Sequence, residues 1–381
     1  MKDCIIIGCG FAGSVLAREL AEKGNKVLIL EQRSHIGGNC YDEMDEHGIL
    51  VHKYGPHIFH TNLEHVYEYL SRFTKWYDYS HEVVGNVYGE LLPVPFNLNT
   101  LKIVYGEEKA ARLEKKLIDT YGVDKKVPIL ELRSNQDPEI QEIAEYVYEN
   151  IFLKYTMKQW GQKPEDIDPS VSGRVPVVLS YDNRYFQDAY QGMPEEGYTK
   201  LFERLLEHKN IEVKLNTKAE TKVLIREDKI YYEGNLFMGQ VIFTGAIDEF
   251  FNCQFGRLPY RSLIFKMEHY ERGPYQTHGV VNYTVSEEFT RITEYPYLTG
   301  QKVEDTTIMK EYPIPYSGKV GEIPYYAIIN PENLAQYKKY RALVEAIPNF
   351  HLLGRLAEYK YYNIDAIVKR ALDLSKKILG E

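Results

Sequence analysis

Three glycines and one acid define the first chemistry legible in this chain. Gly8, Gly10 and Gly13 form G-x-G-x-x-G in "GCGFAG", and Glu31 follows downstream. In this order Gly8 permits a tight turn, Gly10 lets the backbone approach a pyrophosphate, and Gly13 lets a helix pack closely on a strand. Glu31 is placed to accept hydrogen bonds from an adenosine ribose. A helix starting at such a turn directs its partial positive charge at the phosphates. The chemistry is dinucleotide binding.

The elements that must hold these residues are readable in sequence. "CIIIG" (4–8) is a continuous apolar run, as in a strand buried on both faces of a parallel sheet. A helix is predicted from the turn to about Glu22, with Gly24 as its stop. "KVLIL" (26–30) is a second strand that delivers Glu31. A second glycine turn then follows, with Gly37 and Gly38 in "EQRSHIGGNCY" (31–41). Phe11, Ala12, Gln32, Arg33, Gly38 and Asn39 belong to these two turns and are read as cofactor-binding. An NAD domain would run directly into another strand–helix–strand unit. The two-turn pattern instead resembles the FAD-binding half of amine-oxidase-like flavoproteins, and on that resemblance FAD is expected.

Composition sets outer limits. The chain has 381 residues, 44% apolar and 27% charged, enough for two or three domains with real cores. Its net charge of −9 lacks the basic footprint of a nucleic-acid binder. Cys4, Cys9, Cys40 and Cys253 form no C-x-x-C pair, so neither a metal site nor a disulfide framework is expected. The first strand is not preceded by a charged leader and apolar run, and no stretch is apolar enough to span a membrane. A cytoplasmic protein without membrane insertion is expected. There are 33 tyrosines against 15 phenylalanines, which suits half-buried positions or a site lined with aromatic hydroxyls.

Residues 100–165 read as helical. "EEKAARLEKKLIDTYG" (107–122) places Ala111, Leu113, Leu117 and Ile118 on its apolar side, and "PEIQEIAEYVYENIFLKYTMKQWG" (138–161) reads as one long helix. "SGRVPVVLSYDNRYF" (172–186), "RSLIFKMEHY" (261–270), "HGVVNYTV" (278–285) and "DTTIMKEYPIPY" (305–316) alternate and carry prolines, as in an antiparallel sheet. "GYTKLFERLLEH" and "IEVKLNT" rejoin the nucleotide fold, followed by the buried strand and glycine turn of "QVIFTGAIDEFF". After the strand "FHLLG" (350–354), a closing helix has Ile364, Ile367, Val368 and Leu372 on its apolar side. The expected class is α/β. A Rossmann-like FAD domain spans 1–85, 196–255 and 345–381. A helical insert spans 96–168, and a sheet domain spans 86–95, 169–195 and 256–344.

Five segments together resemble the bacterial UDP-galactopyranose mutases. They are "GCGFAGSVLARELAEKGNKVLILEQRSHIGGN", "HKYGPHIFHTN", "KYTMKQWG", "GRVPVVLSYDNRYFQDAYQGMPEEGYTKL" and "GRLAEYKYYNIDAI". "YRSL", "TRITE", "KEYP" and "PYYAI" lie between them in matching order. The resemblance implies reversible conversion of the six-membered galactose ring of UDP-galactose into the five-membered ring. It implies FAD that is active when reduced, NAD(P)H or another reductant, a homodimer, and a role in cell-surface polysaccharide synthesis.

Ring contraction breaks C1–O5 and forms C1–O4 while the anomeric phosphate leaves and returns. A reduced flavin N5 is a nucleophile that can hold C1 while UDP departs. The protein then supplies position and charge.

By the resemblance, Arg174 and Arg291 are the pyrophosphate pair and the residues read as catalytic. Tyr155 stacks on uracil, Trp160 and Thr156 meet the substrate, and Tyr185, Tyr326, Tyr361, Arg261 and His81 complete the substrate set. Arg355, Asn363 and Ile364 join the flavin residues, with His57, Ile58 and His60 in the turn beside the isoalloxazine. The chain departs from the family pattern in places. Asn363 and Ile364 stand where Asp and Met are usual, Tyr295 where His is, His81 where Asn is, and Lys154 where Gly is. These departures leave open a related nucleotide sugar, dTDP-fucose or UDP-N-acetylgalactosamine. A more distant alternative is an amine-oxidase-type flavoenzyme.

Overall fold

The computed structural model describes residues 2–162 and 176–381. They group into two compact units rather than the three domains expected from sequence. The first comprises residues 2–78, 188–262 and 316–381, and the second residues 79–162, 176–187 and 263–315. The helical insert and most of the sheet segments share one unit. The helix Pro331–Glu345, expected with the sheet, belongs to the first.

The first unit is built on five parallel strands in the order Ile211–Lys214, Val27–Leu30, Cys4–Ile7, Gln240–Phe243, Phe350–Leu352. Cys4–Ile7 is central and wholly apolar because both of its faces are covered. The helix Phe11–Glu22 starts at Gly10 and packs against the closing helix Ile364–Leu379 and the helix Tyr198–Leu206. Phe11 joins the last of these, its ring 4.7 Å from Phe202 and edge-on to Tyr198. Asp42 caps Tyr198–Leu206 from outside the helix, accepting from the N–H groups of Tyr198 at 2.5 Å and Thr199 at 2.7 Å. Two otherwise orphaned amides are thereby satisfied. In the closing helix Val368, Ala371 and Leu374 are buried, whereas the expected Ile367 and Leu372 are only half-buried.

The second unit carries a sheet whose strands include Thr306–Pro315, Arg291–Glu294, Val280–Tyr283, Val83–Val87 and Glu90–Val94, in that order. It is antiparallel except that Val280–Tyr283 runs parallel to Val83–Val87. Within 138–161 the single predicted helix is interrupted. Pro138–Val147 is α-helical, Tyr148–Leu153 is a π-helical turn, and Lys154–Trp160 is α-helical again. The extra residue per turn rotates the later side chains relative to those before it. On Glu107–Tyr121 the buried positions are Ala110, Leu113 and Leu117; Ala111 is exposed and Ile118 half-buried. The strand expected across 172–186 reduces, among the described residues, to Val177–Val178, paired with Lys126–Val127. Among the described residues no helix is long and apolar enough to cross a membrane.

Candidate functional site

In the first unit, the carboxyl ends of the parallel strands and the two glycine turns enclose a cleft of about 260 Å³. This is where an open parallel sheet places its ligand. Gly8, Gly10, Phe11, Ala12, Glu31, Gln32, Arg33, Gly38, Asn39, His57, Arg355, Asn363 and Ile364 all line it. The remaining cofactor candidates lie elsewhere. Gly13 packs the helix on the strand, where a Cβ would meet the Gly8 carbonyl oxygen at 2.1 Å. Ile58 is half-buried. Buried His60 pairs through Nδ1 with Asp188 at 2.8 Å.

The two glycine turns lean on one another. Gly38 has φ +57°, and a Cβ there would lie 2.9 Å from Gly10 Cα. The Gly37 N–H donates to the Cys9 carbonyl at 2.9 Å. Glu31 is buried and fixed from two sides, accepting from the N–H of Cys9 at 2.8 Å and of Arg33 at 2.9 Å. The Arg33 guanidinium lies 4.4 Å from the Tyr54 ring centroid, and its Nη2 donates to Asn39. Its Nη1 is buried with no hydrogen-bond partner among the described residues. A buried guanidinium donor left unpaired calls for an anionic acceptor. The closing helix begins at Asn363 without a side-chain cap, and Asn363, Ile364 and Ile367 at its start line the cleft. A dinucleotide with a pyrophosphate fits these residues.

The cleft thiols are not nucleophiles, since burial pushes Cys9 and Cys40 up to about 12. His52 lies behind His57 and accepts its N–H through Nδ1 at 3.1 Å. Burial pulls this ring down to about 4, so it is neutral near pH 7.

Sequence reasoning did not single out Thr217, Thr244, Glu249 or Gly354, all of which line the cleft. The signal for Thr244 was present, since it follows a buried strand and precedes a glycine turn. Only the strand order puts that turn beside Gly8.

Three substrate candidates of the first unit sit beside one another. Arg261 is paired with Tyr326 across two strands, and burial lowers its proton affinity. Tyr326 stacks on Tyr361, with centroids 6.1 Å apart and planes at 15°. The Arg355 guanidinium lies 4.4 Å from the Tyr361 ring centroid while its Nε donates to the Tyr362 carbonyl at 2.6 Å. Substrate and cofactor candidates thus adjoin through Arg355.

In the second unit, Tyr155, Thr156 and Trp160 share the helix Lys154–Trp160; Thr156 is buried and the two aromatics half-buried. Arg291 stands between Asn282 and Glu311 on adjacent strands. Its Nε donates to Glu311 Oε1 at 2.6 Å. His81 is buried among aromatics, 5.8 Å from the Tyr185 ring and stacked on Phe186 at 5.9 Å, with Nδ1 3.1 Å from the Tyr79 hydroxyl. Arg174 lies outside the described residues.

A family model described as UDP-galactopyranose mutase matches residues 150–361, and one described as an NAD(P)-binding Rossmann-like domain matches residues 6–73. The chain is 36% identical to a dTDP-fucopyranose mutase of Escherichia coli, covering 99% of this chain and 98% of the relative. It is 35% identical to a probable UDP-galactopyranose mutase of Klebsiella pneumoniae, covering 100% and 95% respectively. Among solved structures, a reduced UDP-galactopyranose mutase superposes with a TM-score of 0.72 at 14% identity, over 100% of this chain and 94% of that one. At that identity the likeness speaks for the fold.

Proposed function

The chain belongs to the UDP-galactopyranose mutase family, and from that premise we propose that it interconverts the pyranose and furanose forms of UDP-galactose. The observation that carries the reading is the cleft of the first unit, where an unpaired Arg33 Nη1 and two mutually supporting glycine turns suit the pyrophosphate of FAD. When bound and reduced, the flavin supplies a nucleophile for the anomeric carbon and ends each turnover in the same redox state.

The chain's own residues do the rest. Glu31, held by two amides, takes the adenosine ribose. Arg33 and Arg355 meet the FAD pyrophosphate. Arg291, with its direction fixed by Glu311, opposes the charge that grows on the departing nucleotide. Arg174 is assigned the same task by resemblance. Tyr326 and Tyr361 offer hydroxyls to phosphate oxygens, and Tyr155 and Trp160 offer ring faces to the base and sugar. The reading includes NAD(P)H or another reductant, a homodimer, a cytoplasmic setting and a place in cell-surface polysaccharide synthesis.

A second substrate, dTDP-fucose, is favoured by one observation. Asn363 lines the cleft where the family usually carries Asp, and the E. coli relative is a dTDP-fucopyranose mutase. Dithionite-reduced enzyme incubated separately with UDP-galactofuranose, UDP-N-acetylgalactosamine and dTDP-fucose, with products separated by chromatography, tests both. UDP-galactose chemistry is expected to be the fastest. A large preference for dTDP-fucose would overturn the sugar and leave the reaction type standing. Turnover that consumes NADH or oxygen in step with product would overturn the reaction type.

A further inference from the structure

Lys158 sits on the helix Lys154–Trp160, between Tyr155 and Thr156 on one side and Trp160 on the other. It is half-buried, and its Nζ donates to three backbone carbonyls of one short stretch: Tyr283 at 2.5 Å, Glu287 at 3.0 Å and Phe289 at 3.3 Å. An ammonium has three hydrogens, so the three oxygens match its capacity. The stretch is the turn of a hairpin. It joins Val280–Tyr283 to Arg291–Glu294, which pair with Asn282 opposite Arg291. The far end of the turn is held to the neighbouring strand, where the Thr290 N–H donates to the Glu311 carbonyl at 2.9 Å. Arg291 is the next residue, and its guanidinium is held by the Glu311 carboxylate.

An apolar side chain of similar length would fill this space without the cost of desolvating an ammonium, and burial already draws Lys158 down to about 8. A methionine cannot fix direction. Three carbonyls converging on one charge can, because the helix then has one position relative to the hairpin. That position sets the spacing between the aromatic groups on the helix and the guanidinium on the hairpin.

We propose that Lys158 is a positioning residue for the nucleotide sugar, fixing Tyr155 and Trp160 relative to Arg291 so that base and pyrophosphate are met by one rigid element. The proposal rests on the reading above, that these three residues bind a nucleotide sugar. The test uses FAD-loaded full-length enzyme, with Lys158→Met and Lys158→Arg as variants. UDP and dTDP are titrated calorimetrically, and kcat and KM are measured after dithionite reduction.

Lys158→Met should raise the nucleotide Kd and the KM about tenfold, the equivalent of about 1.4 kcal/mol of lost contact. The loss should fall mainly on KM, with FAD content retained. Lys158→Arg should restore part of the affinity, because a guanidinium can still gather carbonyls. A folded, yellow Lys158→Met enzyme that binds nucleotide as tightly as the parent would overturn the proposal. So would parallel loss of FAD, kcat and melting temperature in both variants, which would make Lys158 a folding residue. If the parent itself bound neither nucleotide, the functional reading would fail instead.

Discussion

Arg291 and Glu311 face each other across adjacent strands, with Nε donating to Oε1 at 2.6 Å and the glutamate side chain wholly buried. The buried carboxylate gives the guanidinium a fixed direction. Under the proposed reaction, Arg291→Ala lowers turnover about 10²-fold or more, since a donor aimed at developing charge is worth about 3 kcal/mol. Arg291→Lys recovers only part, because a point charge cannot form the bidentate fork. Arg174→Ala behaves alike. Steady-state kinetics on reduced enzyme, with flavin absorbance as control, check this. Near-normal turnover would return Arg291 to a purely structural ion pair.

Gly38→Ala is expected to yield largely colourless protein. A Cβ there would press on Gly10 Cα at 2.9 Å, and φ +57° is strained for alanine. The two glycine turns would be pushed apart where they meet. Flavin released per mole of protein on denaturation is the measurement, and a fully yellow variant would refute the placement of the cofactor.

Arg355→Ala should weaken FAD retention. So should Glu358→Gln, although Glu358 is absent from the cleft lining. Glu358 Oε2 accepts the Gly354 N–H at 3.0 Å, while Arg370 donates to Oε1 through Nε at 3.2 Å and Nη2 at 3.1 Å. The pair holds the turn that presents Arg355. FAD dissociation should accelerate about tenfold, the equivalent of about 1.4 kcal/mol of lost binding. Stopped-flow fluorescence of released flavin reads the rate, and an unchanged rate would show that the turn holds itself.

His52 ties stability to pH. Its ordinary value is near 6.5, and burial depresses it to about 4. As pH falls through 6.5 the unfolded chain takes up a proton that the folded chain refuses until about 4. Its contribution is therefore complete above 6.5 and lost as pH falls toward 4. Between neutral pH and a mildly acid pH near 4.5 the loss is on the order of 2 kcal/mol. Urea unfolding at the two pH values measures it. The difference should shrink by about that amount in His52→Gln, and equal slopes in parent and variant would contradict the assignment.

The cofactor cleft was largely legible in sequence because its signals are local. A continuous apolar strand, glycines where the backbone must turn, and an acid at the end of the next strand all act within 40 residues of one another. Thr217 and Thr244 were missed because they reach the cleft only through strand order, which pairs Ile211 with Val27 and Gln240 with Cys4. The π-helical turn at Tyr148–Leu153 was invisible because its apolar residues still satisfy a helical period. Residues 172–186 read as strand from their alternation, yet the described part past Val178 is not a regular strand. Asn97 and Asn99 instead draw that stretch into a loop, donating to the carbonyls of Asp182 and Tyr181. Such side-chain competition for the backbone leaves little trace in a hydrophobic pattern.

The order of the parallel strands also bears on how the protein is made. Cys4–Ile7 is synthesised well before one of its two neighbours, Gln240–Phe243, which lies far along the chain. The edge strand Phe350–Leu352 follows later still, and Asn363 and Ile364, which also line the cleft, follow that strand. Until those later residues are made, the two glycine turns lack the rest of the cleft lining. The cleft is therefore completed late, by long-range parallel pairings that are slow to form.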